Sequence, residues 1–223
     1  MARLSDTDRR TRIGFDYLSC TEMARRSDLL TLEAYASAGD LRARKGAITD
    51  PADGHRAIHY LATYRPLRTL CGPGRFMDST TIHIDLLANS NYPFSAPASW
   101  VTTQMPWSPH FKQGTAVCIG DLWDARGTTL LAHLIRHHAR LLNWDERVRG
   151  GGYVGWNGEA IAWHREHCRG RPLTEGLAYP ELPTEVVYGV ESTPMFGNGR
   201  RGSRRAVAAA VDERLFDGGR RRR

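Results

Sequence analysis

The order of apolar and polar residues along the chain predicts a helix, then a run of strands, then two further helices. Residues 5–27 favour the first helix, because Ser5 can cap its N-terminus and acidic residues follow in the first turn. Apolar residues recur there at spacings of four, three and four, at Ile13, Tyr17, Cys20 and Ala24. This spacing places them on one helical face, which we expect to pack on the core.

Alternating apolar and polar residues then predict strands. Residues 29–37 and 55–65 alternate in this way and are separated by a polar stretch, so together they predict a hairpin with a long loop. In residues 80–87 one face is apolar and the other polar, the first formed by Ile82, Ile84 and Leu86 and the second by Thr81, His83 and Asp85. Residues 98–103 predict a further short strand.

The last part of the chain returns to helical spacing. Five leucines and Ile135 recur at helical spacing between residues 130 and 142, with Thr128 near the start, and predict the clearest helix of the chain. After three glycines, a shorter helix is expected from Asn157 to Cys168. Prolines between residues 172 and 194 then predict an extended segment.

Because the strands follow one another instead of alternating with helices, we expect an α+β fold with an antiparallel meander of about four strands. A length of 223 residues suits one domain with appendages. The expected divisions are a core at 1–149, a C-terminal helix and extended wrap at 150–196, and a basic, disordered tail at 197–223.

Charge changes this picture only at the C-terminus. The formal net charge is +7, and residues 200–223 hold nine arginines and three acidic residues, so they carry +6 of it. The rest of the chain is nearly neutral, which argues against a nucleic-acid-binding domain and favours a solvated tail. Binding of nucleic acid by the arginines of the tail alone remains a third, weaker hypothesis.

Other classes are disfavoured by composition. No stretch approaches the roughly 18 apolar residues of a membrane span, and the N-terminus lacks the apolar core of a secretory signal, so we expect a cytoplasmic protein. The four cysteines lie far apart and form no CxxC pair, at Cys20, Cys71, Cys118 and Cys168. This spacing argues against a zinc ribbon and a disulfide scaffold.

The segment from Pro106 to Trp123 is the candidate for chemistry. It is irregular, joins the last strand to the clearest helix, and contains Cys118. Taken alone, Cys118 between two apolar neighbours could be a small buried hydrophobe. A cysteine in a loop between rigid elements is, however, better placed to react than one in the core.

Five features occur around this cysteine in a fixed order. They are the turn YPFSAP at 92–97, a strand ending near Thr103, the tripeptide at 108–110, the GTAVCIG segment with Cys118, and Trp123 before a leucine-rich helix. In this order and spacing the chain resembles the ubiquitin-conjugating enzymes. The resemblance covers about residues 5–145 and is strongest at 72–143.

The resemblance implies a fold and an activity. The fold would be an N-terminal helix, a four-stranded antiparallel meander, an active-site loop and C-terminal helices. Cys118 would take the C-terminal glycine of a ubiquitin-like protein from an activating enzyme as a thioester and pass it to an amine on a target protein. A thiolate is a strong nucleophile and its thioester stays reactive toward amines, so no metal or other cofactor is needed. The first helix, with Arg9, Arg10 and Arg12 expected to be exposed, would contact the activating enzyme.

The chain also departs from the family. Ser108, Pro109 and His110 stand where the family has His-Pro-Asn, so the asparagine that supports the oxyanion has no identical counterpart. His110 either replaces it as a hydrogen-bond donor or only braces the loop. The short gap from Cys118 to Trp123 suggests a trimmed, bacterial relative.

Two acidic residues follow the cysteine. The family often uses a carboxylate beyond the cysteine to orient the incoming lysine, so Asp121 or Asp124 could serve by proximity. Capping of the following helix is the other role that the sequence suggests for Asp124.

The alternative function is a catalytically silent binding module of the same fold, which the missing asparagine favours and the presence of Cys118 disfavours. A metal site is a weaker hypothesis. His133 and His137 have a spacing that can bind zinc, but no glutamate follows His133 and arginines lie nearby. His138 falls on the apolar stripe and is expected to be a core histidine with satisfied hydrogen bonds.

Overall fold

The computed structural model describes residues 4–89, 91–145 and 156–183. The helices in these ranges are α1 (Asp6–Arg25), α2 (Ala38–Ala43), α3 (Leu131–Leu142) and α4 (Gly158–Cys168). The strands are β1 (Leu30–Tyr35), β2 (His59–Tyr64), β3 (Thr69–Gly72), β4 (Arg75–Met77), β5 (Thr80–Asp85) and β6 (Ala98–Val101). Short 3-10 helices lie at Pro51–Arg56 and Gly120–Leu122.

The main sheet has four antiparallel strands in the order β1-β2-β5-β6. Its register pairs Leu32 with Ala62, Tyr60 with Ile84, and Ile84 with Ser99. The expected α+β class and the four-stranded antiparallel sheet are therefore confirmed. The separate hairpin of β3 and β4, inserted between β2 and β5, was not predicted, because its strands are too short to show alternation.

The core lies between the inner face of this sheet and the helices. Ile82, Ile84 and Leu86 are fully buried, as the alternation predicted, and the leucine-rich face of α3 packs into the same apolar cluster. The hydroxyl of Tyr64 on β2 donates to the carbonyl of Ile135 on α3 at 2.9 Å, which ties the sheet to that helix.

The start of α1 agrees with the sequence, since the backbone N–H of Asp8 donates to the Ser5 side chain at 3.1 Å. The long loop after β1 contains α2 and the 3-10 helix at Pro51–Arg56, neither of which was predicted. This loop packs closely on α1: a Cβ at Gly54 would lie 2.4 Å from a ring carbon of Tyr17. Only glycine fits there, because real Cβ atoms do not approach other atoms so closely.

The C-terminal segment adds to the fold. The shorter helix begins next to Asn157, where it was expected, and Asn157 caps it, since its side chain accepts from the N–H of Ala160 at 3.0 Å. Residues 171–183 form no helix or strand, and Thr174 exchanges two hydrogen bonds with Asn143 at the end of α3. The predicted disordered tail at 197–223 lies outside the described residues. No helix of the described part is long and apolar enough to cross a membrane.

Candidate active site

Two backbone hydrogen bonds position Cys118. The N–H of Val117 donates to the carbonyl of Ser99 on the edge strand β6 at 2.8 Å, and the N–H of Cys118 donates to the carbonyl of His110 at 3.0 Å. Cys118 is a free thiol of intermediate exposure. Cys118 is thus held at the edge of the sheet, next to the tripeptide Ser108–His110, and is not part of the fully buried core.

The tripeptide itself forms a tight, anchored turn. Ser108 is almost completely buried, and its hydroxyl oxygen accepts from the N–H of His110 at 3.5 Å. Before the turn, the N–H of Trp107 donates to the carbonyl of Leu70 on β3 at 2.7 Å. Beyond it, the N–H of Trp156 donates to the carbonyl of Pro109 at 3.0 Å. The unpredicted hairpin and the residue before Asn157 therefore both hold this turn.

The YPF turn and Trp123 contact each other. The indole N–H of Trp123 donates to the carbonyl of Pro93 at 2.9 Å, and the rings of Tyr92 and Trp123 lie 5.8 Å apart. Gly127 has a φ of +76°, and a Cβ there would lie 3.2 Å from Phe94. The YPF turn and Trp123, two features of the motif about 30 residues apart in the sequence, thus meet around one loop.

Arg12 belongs to a buried network that joins α1 to this loop. Its Nε lies 2.6 Å from Oδ2 of Asp16, whose carboxylate is fully buried. The Tyr92 hydroxyl also donates to Oδ2, and the N–H of Leu131, the first residue of α3, donates to Oδ1 at 2.9 Å. The Arg12 guanidinium donates in addition to the carbonyl of Gly127.

The expectation that Arg12 is exposed is therefore wrong. Its side chain is 14% exposed, and its guanidinium forms an ion pair with Asp16 inside the protein. Burial lowers the pKa of Arg12, but the charge of Asp16, together with Tyr92 and the hydrogen bonds to both residues, more than offsets this, so the pKa lies above its ordinary value. Arg10 is exposed and Arg9 is of intermediate exposure, and for these two residues contact with the activating enzyme stays a prediction.

The two acidic residues after Cys118 differ in their surroundings. Asp121 is exposed on the 3-10 helix that follows the cysteine. Asp124 accepts from the N–H of Arg126 at 2.9 Å and from the hydroxyl of Thr128 at 2.8 Å. The backbone hydrogen bond from Arg126 contributes most to lowering the pKa of Asp124, and the hydrogen bond from Thr128 comes next.

The expectation that Asp124 caps α3 needs correction. The helix begins at Leu131, seven residues later, and Asp124 caps the turn that precedes it. At the N-terminus of α3, Nδ1 of His133 accepts from the N–H of Leu130 at 3.1 Å and satisfies one of the free backbone donors there.

Two half-buried histidines lie beside Cys118. His110 is one of them, and burial lowers its pKa. The other is His137 on α3, close enough to the backbone of Ile119, the residue after Cys118, for that backbone to affect its pKa. Burial, followed by the nearby His110 and Arg140, lowers the pKa of His137 to about 4. Both imidazoles are therefore neutral at neutral pH.

Sequence reasoning missed the place of His137. It weighed His137 only as a zinc ligand with His133, although a polar histidine bordering the apolar stripe of the helix after the cysteine was the available signal. The described residues contain no group of three or more histidines, cysteines, aspartates and glutamates that could hold a metal ion. His138 is fully buried as predicted, but neither ring nitrogen has a hydrogen-bond partner in the described structure, so the expectation that it is satisfied is wrong.

Cys118, His110 and Asp121 thus lie on one loop, His137 lies beneath it, and Arg12 and Asp16 hold its far end. Such a site can present a thiol to an acyl group and offers neutral imidazoles for proton transfer or hydrogen bonding. No model of a known protein family and no curated protein matches the chain.

Proposed function

We propose that the protein is a ubiquitin-conjugating-type enzyme that carries a ubiquitin-like modifier as a thioester on Cys118 and transfers it to an amine on a target protein. One observation carries this proposal. Cys118 is a thiol of intermediate exposure. Hydrogen bonds hold its loop to β6 and to the Ser108–His110 turn, and the YPF turn and Trp123 contact each other beside the same loop.

The fold supports the same proposal in its order of elements. A helix precedes four antiparallel strands that pair in chain order, and the loop with the cysteine leads from the last strand into α3. This order is that of a ubiquitin-conjugating fold with an inserted hairpin, β3–β4, between its second and third strands. We propose this fold for the protein on that basis.

The chemistry requires little beyond the chain itself. The thiolate of Cys118 attacks the C-terminal carbonyl of the modifier, which the activating enzyme carries as a thioester, and the thiolate of the activating enzyme leaves. The new thioester remains reactive enough for aminolysis, in which the target amine bonds to the carbonyl carbon, loses a proton to water and displaces the Cys118 thiolate. Asp121 is exposed three residues beyond the cysteine, where a carboxylate can attract and orient a lysine ammonium group. No metal or other cofactor enters this scheme.

The test is a charging assay with a ubiquitin-like modifier, its activating enzyme and ATP. We expect an adduct that is cleaved by reducing agents. Cys118→Ala should abolish it and Cys118→Ser should give an adduct that resists reduction, because an oxyester forms. Cys20→Ala is the matched control and should still be charged. An adduct that persists in Cys118→Ala and disappears in Cys20→Ala would refute the assignment.

A catalytically silent binding module of the same fold is the second candidate, and the replacement of His-Pro-Asn by Ser108, Pro109 and His110 is the observation in its favour. The same assay separates the two. A module would bind the modifier or the activating enzyme without forming a covalent adduct, and Cys118→Ala would bind as tightly as the unaltered protein.

A further inference from the structure

Lysine is rare in this chain. Of its 31 lysine and arginine residues only two are lysines, Lys45 and Lys112. The amine of lysine is a nucleophile that can accept an acyl group, whereas the guanidinium of arginine stays protonated and cannot. The sequence therefore contains two lysine amines that could take an acyl group from Cys118, and one of them lies in the loop that carries this cysteine.

Lys112 has a defined backbone position in that loop. The N–H of Cys118 donates to the carbonyl of His110 at 3.0 Å, so the chain between these two residues closes on itself. Inside the closed loop, the carbonyl of Lys112 accepts from the N–H of Thr115 at 3.2 Å and from its hydroxyl at 3.0 Å. Gly114 has a φ of +72°, which favours glycine at this turn. The backbone of Lys112 is thus held, while the residue as a whole is exposed.

The hydrogen bond that closes the loop also limits the distance between Lys112 and Cys118. Standard bond lengths, followed from Cys118 through the carbonyl of His110 to Lys112, place the two Cα atoms at most about 11 Å apart. An extended lysine carries its amine about 6 Å from its Cα, and a cysteine thioester has its carbonyl carbon about 4 Å from its Cα. Reaction begins when these two atoms are about 3 Å apart. A thioester on Cys118 is therefore within reach of the Lys112 amine.

No other group in the described structure engages this amine. Lys112 takes part in none of the ion pairs formed within residues 4–89, 91–145 and 156–183. Its side chain is a flexible four-carbon stem with a terminal amine. The stem can therefore turn toward the thiol without breaking a contact that holds the fold.

Lys45 lies at the opposite edge of the sheet. It comes shortly before Ile48, whose N–H donates to the outer edge of β1 at 2.8 Å. Val117, the residue before Cys118, donates in the same way to the outer edge of β6 at 2.8 Å. Because β1 and β6 are the outer strands of the four-stranded sheet, and strand spacings are about 4.8 Å, these two segments lie roughly 20 Å apart. Lys45 is therefore the matched control for Lys112.

We propose that Lys112 is a self-modification site, which takes the modifier from the Cys118 thioester of the same molecule and keeps it as an isopeptide. This inference rests on the proposed function and deepens it, because it names an acceptor amine. The amine of Lys112, in its uncharged form, bonds to the thioester carbonyl carbon and loses a proton to water. The C–S bond breaks, its electron pair leaves with the sulfur of Cys118, and the thiolate takes a proton from water. The products are an isopeptide and the free thiol.

The short connection between the two residues determines how well this transfer competes with others. Two groups joined by a short flexible segment meet at an effective concentration of about the millimolar range. Transfer to Lys112 should therefore be faster than transfer to a free amine below that concentration. Since donor and acceptor belong to one molecule, the rate should not depend on the protein concentration.

The experiment follows an acyl group from Cys118 to Lys112 without an activating enzyme. The probe is a small thioester of N-acetyl-Gly-Gly, which loads accessible thiols by exchange. Cys71 borders the same cavity as Lys112, and Cys168 is also half-exposed, so both are removed by Cys71→Ser and Cys168→Ser. Hydroxylamine then cleaves the remaining thioesters, and peptide mass mapping measures the acyl group on each lysine.

We expect Lys112 to be acylated at least about tenfold faster than Lys45, with a transfer step that does not slow when the loaded protein is diluted. Cys118→Ala should lower the acylation of Lys112 to that of Lys45, because direct attack by the probe treats the two exposed amines alike. Equal acylation of both lysines, or acylation of Lys112 that persists in Cys118→Ala, would overturn the proposal. So would a transfer rate that falls on dilution, since the acyl group would then pass between molecules.

The charging assay with a ubiquitin-like modifier separates this inference from the proposed function. Lys112→Arg keeps the positive charge but removes the nucleophilic amine, and Lys45→Arg is the control. We expect an adduct that resists reducing agents to form in Lys45→Arg and to be lost in Lys112→Arg. If Cys118 is charged but no modifier appears on Lys112, the activity stands and the self-modification is refuted. If N-acetyl-Gly-Gly moves from Cys118 to Lys112 but the modifier never charges Cys118, the acceptor role of Lys112 stands and the conjugating activity fails.

Discussion

His138 makes the stability of this protein sensitive to acid, and replacing it should remove part of that sensitivity. The residue is fully buried on the core-facing side of α3, and neither ring nitrogen has a hydrogen-bond partner among the described residues. Burial, followed by the adjacent His137, lowers its pKa from 6.5 to about 3. The variant to test is His138→Leu, which extends the leucines of the same helical face.

The sign of the effect follows from proton binding. Below pH 6.5 the unfolded chain binds a proton at this position and the folded chain does not, so stability is lost as pH falls from 6.5 toward 3. At about pH 5 the unfolded state is almost fully protonated, and the loss from one such group is about 2 kcal/mol. At about pH 7.5 the loss is close to zero.

The assay is urea unfolding followed by tryptophan fluorescence, at about pH 7.5 and about pH 5. Other groups that titrate in this window, His137 among them, affect both proteins equally. The advantage of His138→Leu over the unaltered protein should therefore be larger at the lower pH by about 2 kcal/mol. His55→Leu, at an exposed position, is the matched control and should not change the pH dependence. Parallel pH curves for His138→Leu and the unaltered protein would refute the reasoning.

Further predictions concern the Arg12 network, the other thiols and the tail. Arg12→Ala should lower the free energy of unfolding by about 3–5 kcal/mol, because it leaves the buried carboxylate of Asp16 unpaired. Arg10→Ala is the control and should change the free energy of unfolding by less than about 0.5 kcal/mol. Urea unfolding measures both changes. Iodoacetamide should alkylate Cys118 in the native protein and reach the fully buried Cys20 only after unfolding, as peptide mass mapping would show. Deletion of residues 200–223 should leave the melting temperature unchanged, and any weaker binding to an acidic partner should fade above ~0.15 M salt.

Features set by local periodicity were predictable from the sequence. The alternation at Ile82 and Ile84 gave the correct buried face of β5, and the leucine spacing located α3. The start of α4 was predicted within one residue, at Asn157, which caps the helix through a side chain and a backbone group three residues apart. In each case the pattern and the structure it specifies lie within a few residues.

Features set by contacts between distant segments were not predictable. Arg12 has the sequence context of an exposed helical arginine, but its acceptor at Gly127 is 115 residues away. Asp16 follows it by one turn and lies on the apolar face of α1, where a carboxylate is costly unless it is paired. An acidic residue on an apolar helical face, with an arginine four residues before it, was the one local sign of this network.

The part of the chain beyond the family resemblance completes the site. Trp156 donates to Pro109, and the ring of Trp163 on α4 lies 6.1 Å from that of Trp107, just before the Ser108–His110 turn. A chain that ended at the expected boundary, residue 149, would lose both contacts, along with the N-cap and the whole of α4. Because His110 and Cys118 take their positions from this turn, α4 belongs with the residues that shape the site, although it follows the cysteine by forty residues or more. The expected boundary at residue 149 marks where the family resemblance ends. The packing of α4 on the Ser108–His110 turn shows that the folded unit continues beyond it.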